Sequence, residues 1–161
     1  FKEDLQRLVA LIQFFSPEQI IAVGDLFHSK ANLELDLFKR WRQDFSQLQF
    51  HLVKGNHDIL GEDWYNEAGL TVTEGTMRVG NIHFSHEDCS EVEGAFTFCG
   101  HLHPGVVLNG FGKQKLRLPC FYFSPRQCIL PAFSRFTGTA NVQPSKEDTV
   151  FAIADDALIK L

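Results

Sequence analysis

The sequence predicts an α/β fold of two sheets packed face to face with helices outside, and three observations carry that reading. Apolar residues recur at helical spacing in two early segments. A short continuous apolar run follows each of them, and helix–strand–helix–strand order implies parallel pairing through right-handed crossovers. After Gly69 the texture changes to short strand-like segments separated by turn signals such as Gly75 and Gly80.

In chain order, Leu5, Leu8, Val9 and Ile12 predict a helix over residues 2–14, closed by Ser16-Pro17. Residues 20–23 form an apolar run that reads as a strand buried on both faces, ending in Gly24-Asp25. The spacing over 33–45 predicts a second helix, with Leu37, Phe38, Trp41 and Phe45 on one side and Lys39, Arg40 and Arg42 toward solvent. Residues 50–53 repeat the strand pattern and lead through Lys54 into Gly55-Asn56-His57-Asp58. Strands are then expected at 71–73, 77–79 and 81–85, with His86 at a strand end, and at 95–99 before Gly100-His101. The remainder reads as strands at 106–108, 115–123, 127–130, 149–154 and 157–161. No repeat or linker divides the chain, so residues 1–161 are expected to form a single domain.

The bulk numbers fit a globular protein: 161 residues, 44% hydrophobic and 22% charged, with 16 Phe that predict a core rich in aromatic rings. No apolar run reaches the roughly 18 residues that cross a membrane, and no signal-peptide pattern opens the chain, so a cytoplasmic protein without a membrane partner is expected. Cys89, Cys99, Cys120 and Cys128 show no CxxC spacing. They allow three disulfide connectivities, although without an export signal free buried thiols are expected. The net charge of −5 argues against a generally basic, DNA-coating surface. It does not argue against a phosphate substrate, because two divalent cations would add about four positive charges at one spot.

Three segments carry the chemistry: Gly24-Asp25, Gly55-Asn56-His57-Asp58 and Gly100-His101-Leu102-His103, each directly after an apolar run. In a parallel sheet, ligands sit beyond the carboxyl ends of the strands, where these loops fall. Oxygen and imidazole donors suit manganese, iron(II) or zinc. Two such ions about 3.5–4 Å apart form a clamp for phosphoester hydrolysis. Asp25 is a candidate ligand or, alternatively, a turn or helix cap. Asn56 offers a neutral carbonyl oxygen, His57 an imidazole for the reacting phosphate, and Asp58 a carboxylate to hold that imidazole in one tautomer. In an extended segment His101 and His103 point to the same side and could share a metal, or they form an exposed loop. His86 is a candidate fourth source of ligand, and His28 could reach the substrate. His51 and His83 lie inside strands and read as structural.

Together, Gly24-Asp25, Gly55-Asn56-His57-Asp58, His86 and Gly100-His101-Leu102-His103 resemble motifs two to five of the calcineurin-like metallophosphoesterases, over residues 20–105. The resemblance implies a four-layer αββα metallophosphoesterase sandwich of two packed mixed sheets flanked by helices. It implies two divalent metal ions, manganese ahead of iron or zinc. Asp25 would bridge both, Asn56, His86 and His101 would complete one, and His103 would join the other. His57, with Asp58 behind it, would donate a proton or stabilise charge at the phosphate. The family's first motif, Asp-x-His, occurs nowhere in these residues. The chain opens at Phe1, without Met and already in a helical pattern, so that motif is expected upstream.

At finer grain, Gly24-Asp25-Leu26-Phe27-His28-Ser29, Leu118-Pro119-Cys120-Phe121 and Leu130-Pro131-Ala132-Phe133 with Phe136-Thr137-Gly138 resemble a bacterial subfamily. It is the ligase-associated DNA-damage-response phosphoesterase or endonuclease, and the resemblance implies a nuclease in DNA repair linked functionally to a DNA ligase and a helicase. Lys113, Lys115 and Arg117, with Phe111 nearby, could track a nucleic-acid backbone or form a solvated strand edge. Two other readings stand beside the nuclease. One is a non-catalytic scaffold on the same fold. The other is a hydrolase of nucleotides or lipid-linked pyrophosphates. No residue pattern specifies an oligomeric state.

Overall fold

The computed structural model describes residues 1–27, 32–87, 90–110, 112, 114–135 and 137–161, with Asn32 described in its backbone only. His28, Cys89, Phe111 and Lys113 therefore lie outside the described residues. The chain forms two compact units, Phe1–Thr76 and Met77–Leu161.

The first unit contains α1 (Lys2–Phe15), β1 (Gln19–Val23), α2 (Asn32–Asp44), β2 (Gln49–Val53), α3 (Glu62–Glu67) and β3 (Thr71–Thr73). Ser16 ends α1 in the left-handed conformation (φ 47°), its N–H returning to the Ile12 carbonyl at 2.8 Å. Pro17 cannot continue the helix. The three strands form a parallel sheet in the order β1-β2-β3, with Ala22 paired to Leu52 and Leu52 to Val72. The central strand is the buried one, Leu52 and Val53 having no exposed surface. β1 was expected to be buried on both faces, but among the described residues only β2 pairs with it, and its residues are at best half-buried.

The predicted aromatic core is present. Phe38 sits among Phe27, Trp41 and Phe50 with ring centroids 5.0, 5.4 and 5.8 Å away, and Phe27 packs edge-on to Trp64 at 4.9 Å. Each such ring contributes about 2–3 kcal/mol by burial, with edge-to-face contacts adding about 1 kcal/mol. Arg42 corrects the expected helix face, being buried rather than solvent-facing. Its guanidinium donates to the carbonyls of Phe45, Leu48 and Gly69 at 2.7, 3.1 and 3.1 Å. A cation is favoured at a helix carboxyl end, where backbone carbonyls lack helical partners. α3 was not foreseen, since six residues are too few to show a period.

The second unit carries a mixed sheet built from β4 (Thr76–Val79), β5 (Ile82–Ser85), β6 (Phe96–Cys99), β7 (Pro104–Asn109), β8 (Lys115–Ser124), β9 (Gln127–Ile129) and β10 (Ala140–Asn141). Their order is β10-β7-β8-β9-β6-β5-β4, and β11 (Thr149–Ala154) joins β8 and pairs with β12 (Ala157–Lys160). β5, β6 and β9 run parallel, whereas β8 is antiparallel to β7, β9 and β11. The ten-residue β8 serves three ladders: its first half faces β7, from Asn109↔Lys115 to Gly105↔Pro119, and its second half faces β9 and β11. Val106, Cys120, Val150 and Ala152 make the core behind it.

Cys120 and Cys128 are free and buried, as expected, and burial pushes their thiols up to about 11 and about 12. Cys99, at the end of β6, is instead disulfide-bonded, a pairing that the scattered cysteine spacing could not reveal. Tyr122 on β8 donates its hydroxyl to Asp148 Oδ2 at 2.7 Å, and the Ser145 N–H donates to the same oxygen at 2.7 Å. Two sheets with their helices make this the mixed α/β class that the sequence predicts.

Candidate metal and phosphoester site

In the first unit the parallel register Val23↔Val53 brings the ends of β1 and β2 side by side, and both polar loops begin there. Gly24 and Asp25 are both left-handed (φ 78° and 54°), a conformation that Gly and Asp tolerate better than most residues. Successive N–H groups in such a turn converge into an anion-binding concavity. Asp58 fills it. Its Oδ2 accepts the Asp25 and Gly55 N–H groups at 2.7 and 2.9 Å, and its Oδ1 accepts those of Leu26 and Phe27 at 2.9 and 3.1 Å. With 1% of its surface exposed, this carboxylate ties one loop to the other. The expected grip of Asp58 on the His57 ring is not among these four bonds, which all go to backbone.

The His57 N–H donates to Asp25 Oδ1 at 3.0 Å, so the Asp25 carboxylate is oriented by the Gly55-Asn56-His57-Asp58 loop. Asn56 and His57 are exposed, and Asp25 is half-buried. An oriented carboxylate beside an amide and an imidazole is a donor set that suits a divalent cation and a phosphate.

In the second unit β5 and β6 are parallel neighbours with Ser85 opposite Cys99, so His86 and His101 emerge from adjacent strand ends. The Gly100 N–H bonds the His86 carbonyl at 3.2 Å. His86 is buried, and its Nε2 faces His101 Nδ1 at 3.2 Å, the rings nearly perpendicular at 77°. Metal–imidazole bonds of about 2.0–2.1 Å meeting at about 90–110° put the two nitrogens about 2.9–3.4 Å apart. The observed spacing therefore fits both rings on one ion.

His101 and His103 are not in an extended segment, contrary to expectation. Both are left-handed (φ 55° and 48°), because the chain turns between β6 and β7 within four residues, so period-two alternation does not apply. His103 is half-buried, and its carbonyl accepts the Ala140 N–H at 2.9 Å. His28 lies outside the described residues. Sequence reasoning missed the stretch after β9: the Leu130 N–H bonds the Cys99 carbonyl at 2.8 Å, so residues 130–140 are tied at both ends to the histidine turn. The signals for it were Leu130-Pro131-Ala132-Phe133 and Phe136-Thr137-Gly138, which entered only through the subfamily resemblance.

Among solved structures, the chain is similar to the nuclease MPE of Pseudomonas putida, with 28% identity over 94% of this chain and 74% of that one, and a TM-score of 0.83. It also matches wild-type Vps29 complexed with zinc from Entamoeba histolytica, at 11% identity over 89% of this chain and 94% of that one, with a TM-score of 0.28 that bears no weight. No curated protein matches the sequence. The family model of the calcineurin-like phosphoesterases matches residues 2–122, and with Asp25, Gly55-Asn56-His57-Asp58, His86 and the His101–His103 turn all inside that match, the chain belongs to the calcineurin-like phosphoesterase family.

Proposed function

We propose that this protein is a metal-dependent phosphodiesterase that cuts nucleic acid. The observation that carries the metal-dependent chemistry is the pair of imidazole nitrogens of His86 and His101 facing one another at 3.2 Å. Asn56, His86 and His101, with Asp25 as a shared ligand, would hold one cation. Asp25 and His103 would hold a second, for which the 161 residues supply no Asp-x-His. Divalent cations there supply Lewis-acid polarisation of the phosphoryl group and a water of lowered pKa.

The chain's own residues do the rest. The His57 ring follows directly on a backbone N–H bonded to Asp25, and serves as proton donor or charge stabiliser at the leaving oxygen. Asp58 is a positioning residue, since it fixes the backbone on either side of the Asp25 carboxylate. The 28% identity to a nuclease supports nucleic acid as the substrate, ahead of nucleotides or pyrophosphates. A place in DNA repair beside a ligase and a helicase is the extension that the subfamily resemblance supplies.

The test is a panel of single-stranded DNA, duplex DNA and bis(4-nitrophenyl) phosphate with manganese, iron(II) or zinc. Hydrolysis that chelation abolishes and manganese restores is expected. His57→Asn is expected to keep its bound metal and lose about 100-fold in turnover. Loss of metal together with turnover in that variant assigns His57 to the ligand set instead. An inert protein across the panel makes the scaffold reading the better one.

A further inference from the structure

We propose that β12 is a self-pairing edge: two copies of this chain join antiparallel through it about a two-fold axis, with Leu158 opposite Leu158 and Asp156 opposite Lys160 of the second copy. The inference stands apart from the phosphodiesterase reading and uses the second unit alone. Among the described residues only β11 pairs with β12, so one edge of the strand is open. All four residues of β12 are exposed. Leu158, Ile159 and, just past the strand, Leu161 leave 61%, 40% and 50% of their surface in solvent. An apolar open edge of this kind is a template for a further strand.

The β11 ladder decides which groups face the open edge. Phe151 is opposite Lys160, so Val150 is opposite Leu161, and the Leu161 N–H donates to the Val150 carbonyl at 3.0 Å. Opposite residues of an antiparallel pair alternate between those that exchange hydrogen bonds and those that do not. Ala157 and Ile159 therefore also turn their backbone groups to β11, while Leu158 and Lys160 turn theirs outward. Two antiparallel copies must match outward residues with outward residues. Lys160 on Lys160 sets like charges together, and Lys160 on Leu158 leaves the ammonium without a countercharge. Leu158 on Leu158 centres the axis on an apolar pair. It also carries Asp156, in the turn before β12, to Lys160 of the second copy, and symmetry repeats that ion pair at the other end. On the opposite face each Ile159 meets the small Ala157 of the second copy. Lysine is the residue that guards an open edge against indiscriminate pairing. Here it disfavours the wrong registers and favours one, and that charge complementarity identifies a second copy as the occupant.

The experiment is analytical ultracentrifugation of the protein over a range of concentrations, with chelator present so that metal binding does not enter the readout. The wild type is expected to pass from monomer to dimer as concentration rises. Asp156→Lys sets like charges at both ends of the ladder, and its dimer dissociation constant is expected to rise about tenfold. Adding Lys160→Asp exchanges the two charges and is expected to restore the wild-type constant to within about threefold. A misfolded single variant could not give that restoration. Leu158→Cys is expected to cross-link to its own copy on air oxidation, because the Cα atoms of a hydrogen-bonded pair lie about 5.5 Å apart. Lys160→Cys is expected to stay uncross-linked beyond the wild-type background. A wild type that remains monomeric at millimolar concentration overturns the proposal. So does a dimer that Asp156→Lys leaves intact, a double exchange that fails to restore it, or cross-linking through Lys160→Cys in place of Leu158→Cys.

Discussion

Asp58 presents two oxygens to four backbone donors from residues 25, 26, 27 and 55, and almost none of its surface to solvent. Removing it leaves several N–H groups in a water-poor place without an acceptor, each costing about 1–3 kcal/mol where water cannot enter. Asp58→Ala is therefore expected to lower stability by about 3 kcal/mol or more, read from the urea midpoint. Asp58→Asn is expected to lie between Ala and the wild type, because its amide keeps one acceptor oxygen and turns an NH2 toward donors. At this scale the sequence was informative about identity and silent about partners. Gly55-Asn56-His57-Asp58 marked the loop, yet the Asp58 acceptors lie 31–33 residues from three of their donors, a separation that no local pattern encodes. Arg42 was misplaced for the same reason: a charge in a helical pattern reads as solvent-facing unless the distant Gly69 carbonyl is known.

At the scale of elements, the bond between Tyr122 on β8 and Asp148 before β11 couples stability to pH at both ends of the range. The bonds from Tyr122 and Ser145 hold the Asp148 carboxyl below its usual range. That contribution is present above the unfolded value of about 3.9 and is lost as pH falls through the lower folded one. The same bond pushes Tyr122 up to about 12, so its contribution is present below about pH 10 and lost as pH rises through the folded value. Tyr122→Phe is expected to flatten both flanks of a melting-temperature profile against pH. A second expectation concerns β7: Gly105→Ala forces a Cβ to 2.5 Å from Thr139 Oγ1 and 3.2 Å from the Leu118 carbonyl, so its melting temperature is expected to fall by several degrees. α1, α2 and the longer strands were legible because their apolar periods run for several residues. α3 and the two-residue β10 were not, since an element that short has no period, and nothing in Ala140-Asn141 announces pairing with Pro104-Gly105.

For the molecule as a whole, the class of fold was legible from the change of texture near residue 70, while the order of strands in the second unit was not. Long-range pairings such as β10 with β7 and β11 with β8 join segments that other strands separate in the sequence. Two measurements report on the entire folded state. Burial raises Cys120 and Cys128 to about 11 and about 12, so neither is expected to react with a thiol reagent at pH 8 until the protein unfolds. Under the proposed function, a cation at a hundred times its dissociation constant stabilises the native state by about 2.7 kcal/mol. That corresponds to a rise in melting temperature on the order of 5–10 °C, reversed by chelator.

The four bonds to Asp58 come entirely from protein, so the turn around Asp25 is held by the chain's own carboxylate. Under the proposed function, a turn around Asp25 held by these bonds is expected to take up a cation with little loss of backbone freedom. Coordination is then expected to be uncoupled from folding, unlike a zinc finger, which unravels without its ion. A stripped protein should keep the circular dichroism of the loaded one, and ions should exchange in place without the chain passing through an unfolded state.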